Sequence, residues 1–261
     1  MGSPEPWEGT GEAGSFPYSR PFSLLMDLQA EFPWWVYFSL KSREDRRAAL
    51  LPQLGVAGME AEWFPTVDGQ ALGGETRGFL TPGRRALALT NRRALREAGR
   101  RRAGAVSILQ DDAVFHGGFA ARAAALTLPE DWGIFYFGCQ HIEPPEWHSP
   151  GLVRVRRALD AHAFAVRAPH YLRVRKALRG GGKGARDEAY PDILLSWLHR
   201  EIPTYAAFPN LIWQAEGWSD LLGREHCNYD ADGGQRLWRH VVEPLHQVTQ
   251  PGCEEVWPSS R

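Results

Sequence analysis

Two adjacent aspartates, Asp111 and Asp112, follow directly after the apolar run AVSIL at 105–109. Neighbouring carboxylates repel each other, so a chain that places them at a strand end either leaves them in water or supplies a cation. Ligands of open α/β sheets bind beyond the carboxyl ends of the strands. Mg²⁺ or Mn²⁺ is held at such a site by carboxylates together with phosphate oxygens of the substrate. The pair therefore predicts a site for a metal and a diphosphate, and a solvated turn is the alternative.

A second group of acids lies in the segment ARDEAYPD, which contains Asp187, Glu188 and Asp192 between a glycine-rich stretch and a predicted helix. Group transfer to a hydroxyl needs a carboxylate that accepts its proton. Asp187 or Glu188 is the candidate for this base. The alternative is that these acids only complement the positive N-terminus of the helix that follows.

Strand-like and helix-like segments alternate along the chain and would position these acids. The strand-like runs are EFPWWVYFSL (31–40), AEWFP (61–65), AVSIL (105–109), GIFYFG (133–138), AHAFAVRA (161–168) and IPTYAAFP (202–209). Continuous apolar runs between helices indicate strands that are covered on both faces. The pattern therefore predicts an α/β fold with a mixed, mostly parallel sheet flanked by helices.

Besides FAARAAALTLP (119–129), which looks helical, and a C-terminal helix after residue 226, helix signals occur at three places. Leu50, Leu51 and Leu54 are spaced to share one buried helix face. A second helix is predicted to begin at Thr81, which can cap it, and Pro82, which is tolerated in a first turn. A third is predicted to start near residue 190.

The predicted second helix is rich in arginine at positions 92, 93, 96 and 100–102. Such density permits a nucleic-acid interpretation, but on a helix it usually marks a solvated face, and we adopt that second interpretation.

Composition narrows the possible partners and location. The 261 residues are 43% hydrophobic and 23% charged, as in ordinary globular proteins. Lys and Arg together number 30 against 31 Asp and Glu, so net charge favours neither nucleic acid nor an anionic membrane as partner. No basic n-region precedes an apolar core, and no apolar run is long enough to cross a bilayer. We expect a cytoplasmic protein with no nucleic-acid partner and no transmembrane segment.

The cysteines indicate the redox state of the protein, and local composition indicates the bounds of one domain. Cys139, Cys227 and Cys253 have no metal-like spacing and are expected to be reduced, structural thiols. Residues 1–30, which are rich in Gly, Pro and Ser, are predicted to be a loose N-terminal segment. Residues 31–226 are predicted to form the domain, followed by a C-terminal helix and tail over 227–261.

The order of these motifs resembles glycosyltransferase family 25, which includes bacterial lipooligosaccharide β-galactosyltransferases and collagen galactosyltransferases. The resemblance spans about residues 35–222. The segments that carry it are YFSLKSREDRR (37–47), TVDG (66–69), LTPGRRALALTNRRAL (80–95), ILQDDAVF (108–115), DWGIFYFG (131–138), AHAFAVRA (161–168), RDEAYPD (186–192) and FPNLIWQAEGWSDLLG (208–223).

The resemblance implies a single-domain GT-A, Rossmann-like fold and inverting transfer of a hexose, most often galactose from a UDP-sugar. The acceptor would be a hydroxyl on a glycan or another biomolecule, and the metal would be Mn²⁺ or Mg²⁺. By analogy Asp111, Asp112 and, later in the chain, His226 would hold the metal, and Asp187 or Glu188 would face the acceptor. The donor would lie beside Leu40, Arg43, Asp68, Asn91, Gln110, Ser219 and Asp220.

Three positions depart from the family pattern. Arg84 stands where the family has an acid, Asn91 where it has histidine, and Gln110 where it has glutamate. Arg84 inverts a charge, and Asn91 keeps hydrogen bonding but loses a titrating imidazole. A catalytically altered protein that binds a nucleotide sugar or a glycan is therefore the alternative to an active transferase. A metal-dependent phosphohydrolase is a weaker third hypothesis, because the chain lacks a second Asp/His cluster. Trp147 and His148 are candidates to line an acceptor sugar.

Overall fold

A mixed β-sheet forms the centre of the computed structural model, which describes residues 26–76, 79, 81–180, 190–221, 224–226 and 228–229. The helices are α1 (Leu28–Glu31), α2 (Glu44–Val56), α3 (Pro82–Arg101), α4 (Phe119–Ala124), α5 (Tyr171–Ala177) and α6 (Pro191–Ser196), with 3-10 turns at Gln70–Leu72, Ala168–His170 and Trp197–Arg200. The strands are β1 (Trp35–Ser39), β2 (Glu62–Pro65), β3 (Ala105–Gln110), β4 (Ala113–Phe115), β5 (Ile134–Glu143), β6 (Glu146–Ser149), β7 (Leu152–Arg154), β8 (Arg157–Arg167), β9 (Thr204–Ala207), β10 (Ile212–Gln214), β11 (Gly217–Ser219) and β12 (Arg224–His226).

The described strands of the main sheet are ordered β2-β1-β3-β8-β5-β9-β7-β6. Strands β2, β1 and β3 pair in parallel, as do β5 and β9, whereas β8 and β7 run antiparallel to their neighbours. Most strands of the sheet therefore run in one direction. This topology confirms the predicted mixed, mostly parallel sheet of an α/β domain.

Burial explains why these runs form strands. All five residues of β1 are buried, because the sheet is covered on both faces. Val36 and Phe38 lie in one apolar cluster with residues of α3, and Trp35 and Tyr37 lie in a second cluster with residues of α2. Successive side chains of a strand point to opposite faces, so β1 contributes to both halves of the core.

Helix α3 begins as the sequence predicts. The Thr81 side chain accepts a hydrogen bond from the Arg84 amide at 3.2 Å, and Pro82 occupies the first turn. Leu95 and Ala98 are buried against the sheet. Helix α6 likewise begins at Pro191, close to the predicted residue 190.

The prediction for α2 is wrong at one residue. Leu50 and Leu54 are buried, but Leu51 is 50% exposed. Positions 50 and 54 are one turn apart and share a face, whereas position 51 is rotated about 100° away.

The sheet extends further than the sequence indicates. Strand β5 continues to Glu143 and β8 starts at Arg157, and β6 and β7 lie in a stretch that reads as loop. No helix in the described part of the chain is both long and apolar enough to cross a bilayer.

Candidate functional site

A cavity of about 1230 Å³ opens at the carboxyl ends of β1 and β3. It is lined by every predicted donor- and metal-site residue whose side chain the structure describes: Leu40, Arg43, Asp68, Asn91, Gln110, Asp111, Asp112, Ser219 and Asp220. Parallel strands end at the same edge of a sheet, so segments far apart in sequence meet there. The structure therefore brings these predicted residues together.

The acid pair lies at the floor of this cavity, directly after β3. The Asp112 carboxylate has one oxygen, Oδ2, 3.4 Å from the Gln214 amide nitrogen, which donates to it. Its other oxygen, Oδ1, is buried and has no hydrogen-bond partner. Burial and the negative charge of Asp111 raise the pKa of Asp112 to about 6. The pair thus carries an unsatisfied acceptor beside a cavity that both aspartates line.

Arg46 of α2 supplies a positive charge to the acid pair. Its Nη1 lies 3.1 Å from Asp111 Oδ1 and 3.8 Å from Asp112 Oδ2. Its Nη2 donates to the backbone oxygen of Trp218, in β11. The sequence motif includes Arg46, but nothing in the sequence indicates this contact with residues 65 positions away.

A second arginine of the same segment, Arg43, forms ion pairs at the cavity. Arg43 pairs with Asp220 at 2.5 Å and with Asp45 at 2.8 Å. Asp220 follows β11, which pairs antiparallel with β12. The predicted metal ligand His226 is the last residue of β12, and only its backbone lies within the description.

Asp160 is a site residue that the sequence analysis missed. Strand β8 pairs antiparallel with β3, and Asp160 near the start of β8 lines the same cavity as Asp112. Asp160 Oδ2 accepts from the Gln140 amide nitrogen at 2.9 Å and from the Asn228 amide nitrogen at 2.7 Å.

The backbone of Asp160 is unusual. Its φ is +64°, in the left-handed region that non-glycine residues seldom adopt and that recurs at functional sites. No sequence pattern signals such a residue, because Asp160 stands alone after an apolar strand start.

Asp192 supports Asp160 from the first turn of α6. Its Oδ2 accepts from the Asp160 amide at 3.2 Å, and its Oδ1 accepts from the Ile193 amide at 2.9 Å. Burial and the negative charge of Asp160 raise the pKa of Asp192 to about 6. Both carboxylates line the cavity. The sequence places Asp192 in the second acid group but does not distinguish it from its neighbours.

The two departures on α3 have different surroundings. Asn91 lines the cavity, and its side-chain nitrogen donates to the Leu87 backbone oxygen at 3.0 Å. Arg84 is only 7% exposed, and its guanidinium carbon lies 3.3 Å from the ring centre of Tyr190. Arg84 Nε and Nη1 are buried without a hydrogen-bond partner.

The predicted acceptor-side residues fall into two groups. Asp187 and Glu188 lie outside the described residues. Trp147 and His148 belong to β6, at the far edge of the sheet, and are not among the described lining residues of the cavity. The prediction that these two line an acceptor site is therefore wrong for this cavity.

The donor set of the acid pair fits a hard divalent cation. The buried Oδ1 of Asp112 lacks a partner, and Mg²⁺ and Mn²⁺ need few protein carboxylates when substrate phosphates and water complete the shell. Among the described residues no three His, Cys, Asp or Glu side chains form a metal-binding group. A cation at this pair would therefore depend on ligands beyond these carboxylates.

No protein-family model matches the chain, and no curated protein matches it. Among solved structures, similar folds include a glycosyltransferase involved in glycosylation of the major capsid of PBCV-1, at 12% identity and a TM-score of 0.41 over 68% of this chain and 83% of that one. UDP-glucose pyrophosphorylase in complex with UDP-glucose is 7% identical, with a TM-score of 0.40 over 66% of this chain and 89% of that one. A Drosophila β-1,4-galactosyltransferase 7 variant with manganese, UDP-Gal and xylobiose is 12% identical, with a TM-score of 0.38 over 70% and 71% of the two chains. Likenesses this distant assign neither a family nor an activity.

Proposed function

We propose that this protein transfers a sugar from a nucleotide-sugar donor to an acceptor hydroxyl with the help of a divalent cation. The observation that supports this most is the Asp111–Asp112 pair at the end of β3, with its unpartnered Asp112 Oδ1, inside a cavity of about 1230 Å³. Small-molecule sites usually span roughly 300–1,000 Å³, so this cavity has room for a nucleotide sugar.

On the donor side, Asp112 and Asp111 would hold Mn²⁺ or Mg²⁺. When bound, the cation supplies charge neutralisation for the departing diphosphate. Arg43 and Arg46 line the same cavity and present guanidinium groups that match phosphate geometry.

The remaining predicted donor contacts would orient the nucleotide. Leu40 and Asp68 flank the cavity where β1 and β2 end, and Asn91, Gln110 and Ser219 add polar groups around it. Recognition by fixed polar groups of this kind holds the donor in a reactive orientation.

On the acceptor side, we assign the general base to Asp160. The acceptor oxygen would attack the anomeric carbon and lose its proton to the carboxylate, while the bond from carbon to diphosphate oxygen breaks and the diphosphate leaves with the electron pair. Gln140 and Asn228 fix the orientation of Asp160. Asp187 or Glu188 is the alternative base.

The finer assignment follows the resemblance to glycosyltransferase family 25. It proposes UDP-galactose as the donor, Mn²⁺ as the metal with His226 as a further ligand, inversion at the anomeric carbon, and a glycan or another hydroxyl-bearing molecule as acceptor. The geometry of a single displacement agrees with inversion, because the acceptor must approach opposite the leaving diphosphate.

A second candidate function is donor or glycan binding without transfer. Two observations favour it: Arg46 already supplies positive charge to the acid pair, and Arg84 and Asn91 depart from the family pattern. In this case the cavity would bind a nucleotide sugar and release it unchanged.

Calorimetric titration of UDP and UDP-galactose with and without Mn²⁺ tests the proposal. We expect Mn²⁺-dependent binding that Asp112→Asn abolishes and that Asp131→Asn, an exposed matched control, retains. Equal binding by Asp112→Asn would contradict the assigned metal site. Slow release of UDP from UDP-galactose above background separates the transferase from the non-catalytic binder.

A further inference from the structure

Four arginines lie on or just after two helices that pack against each other: Arg92 and Arg96 on α3, Arg175 on α5, and Arg179 two residues beyond the end of α5. We call Arg92, Arg96, Arg175 and Arg179 the arginine surface. Burial and the positive charges of Arg179, Arg175 and Arg96 lower the pKa of Arg92, so the four guanidinium groups lie within electrostatic reach of one another. The arginine surface is therefore a local concentration of positive charge on a chain of nearly zero net charge.

Three other arginines of these helices pair with carboxylates. Arg100 and Arg101 pair with Glu97, and Arg173 pairs with Glu201. In the described part of the chain, the arginine surface makes no such pair with a carboxylate.

Two members of the arginine surface also have unused hydrogen-bond donors. The Nε atoms of Arg92 and Arg175 are buried and have no hydrogen-bond partner. Buried donors without an acceptor and clustered like charges both destabilise a fold, and an anionic ligand relieves both. The sequence predicts a solvated helix face here, but at Arg92 the structure shows a side chain whose Nε is buried.

An exposed apolar side chain, Leu172, lies on α5, the helix that carries Arg175. Leu172 is 56% exposed. Arg175 and Lys176 of α5 follow it by three and four positions, a spacing that places them on its helix face. A leucine next to cations suits the boundary between lipid headgroups and acyl chains, whereas nucleic acid or a soluble polyanion needs only the charges.

We propose that the arginine surface, with Leu172, docks onto an anionic phospholipid bilayer. The guanidinium groups would bind headgroup phosphates, and Leu172 would enter the interface. Helix α3 also lines the donor cavity at Leu87 and Asn91, within about two turns of Arg92 and Arg96. Docking would thus hold the cavity close to acceptors at a membrane, a consequence that rests on the proposed function, whereas docking itself does not.

Vesicle co-sedimentation of the full chain, without donor or metal, tests the docking. We use phosphatidylcholine alone and an equal mixture of phosphatidylcholine and phosphatidylglycerol, and expect binding to the mixture only. Changing all four residues of the arginine surface to glutamine should weaken that binding about a thousandfold, because each basic group near such a surface contributes about 1 kcal/mol. A matched variant with Arg122, Arg154, Arg156 and Arg200 changed to glutamine should bind like the unchanged protein.

Leu172→Ser separates a bilayer from a soluble polyanion. It should weaken vesicle binding and leave the binding of inorganic polyphosphate unchanged. Circular dichroism and thermal unfolding establish that each variant is folded. Equal vesicle binding by both fourfold variants, or no binding of the unchanged protein to the anionic vesicles, would overturn the proposal. Binding only to polyphosphate or to single-stranded DNA would overturn it too. Titration of UDP with Mn²⁺ into the same preparations reports separately on the donor site.

Discussion

Arg46 Nη1 lies 3.1 Å from Asp111 Oδ1 and 3.8 Å from Asp112 Oδ2, so α2 directs a cation at the acid pair. A divalent ion bound there would share its ligands with this guanidinium group. Removing the guanidinium leaves a more negative pair, so Arg46→Gln should tighten Mn²⁺ binding to the nucleotide-free protein about tenfold. Calorimetry with Mn²⁺ alone measures this, with Arg156→Gln as the control of equal charge. Unchanged Mn²⁺ affinity in Arg46→Gln would show that the metal does not share this site.

Asp160→Asn tests the proposed base with little disturbance of the backbone. Asparagine tolerates the left-handed conformation that Asp160 adopts, so we expect the variant to fold. Donor binding should persist, and sugar transfer should fall by about 10²-fold or more, as for the loss of a general base. Transfer at the unchanged rate would direct attention to Asp187 and Glu188.

Acid should weaken the contribution of His199 to stability. His199 Nδ1 accepts a hydrogen bond from the Ala158 amide at 3.3 Å, and its other ring nitrogen lies 3.0 Å from the Tyr136 hydroxyl. Burial lowers the pKa of His199 to about 3, whereas the unfolded value is near 6.5. Between about pH 6.5 and pH 3 the unfolded state therefore binds more protons than the folded state. The free energy of unfolding falls as the pH drops through this range, by about 1.4 kcal/mol per pH unit for one histidine.

The comparison variant for this effect is His199→Gln. At neutral pH it should be less stable than the unchanged protein, because it replaces two buried hydrogen bonds imperfectly. The gap should narrow as the pH falls below about 6.5, since glutamine does not titrate. Asp192 acts in the opposite direction, because its raised pKa adds stability as the pH falls through about 6, but it is common to both proteins. Urea unfolding across this range measures the gap, and a constant gap would contradict the assignment.

Gly138 should not tolerate alanine. A Cβ at this position of β5 would lie 1.6 Å from the Ile212 backbone oxygen. Gly138→Ala should therefore separate β10 from β5 and destabilise the protein by about 3 kcal/mol or more. Gly104→Ala is the control, because its Cβ would meet nothing within 4 Å. Equal urea midpoints for the two variants would rule out this close approach.

The fold could be predicted largely from the pattern of apolar residues in the sequence. Strands β1 and β3 are mostly apolar, and Thr81 and Pro82 mark the start of α3. Strands β6 and β7, at one side of the sheet, could not be predicted, because they are only four and three residues long and the stretch around them has the composition of a loop.

Candidate site residues that are adjacent in the sequence could be predicted. Those that strand pairing brings together could not. Asp111 and Asp112 are adjacent in sequence and end an apolar run, which gives a readable signal. Asp160 reaches them only through the pairing of β8 with β3, and its left-handed φ leaves no trace in composition. The contact of Arg46 with the acid pair depends in the same way on how α2 packs at the end of the sheet.

Two contacts join the cavity wall around β11 to the start of α2. Arg43 pairs with Asp220 across 177 positions of the sequence, and Arg46 donates to the Trp218 backbone oxygen across 172 positions. During synthesis on a ribosome, both arginines and the acid pair leave the exit tunnel long before that wall exists. Contacts of such sequence separation form late, because the intervening chain must be ordered first. A nascent chain that stops short of residue 217 would therefore carry Asp111 and Asp112 on a cleft that is still open on one side, and only the last part of the domain to be translated completes it.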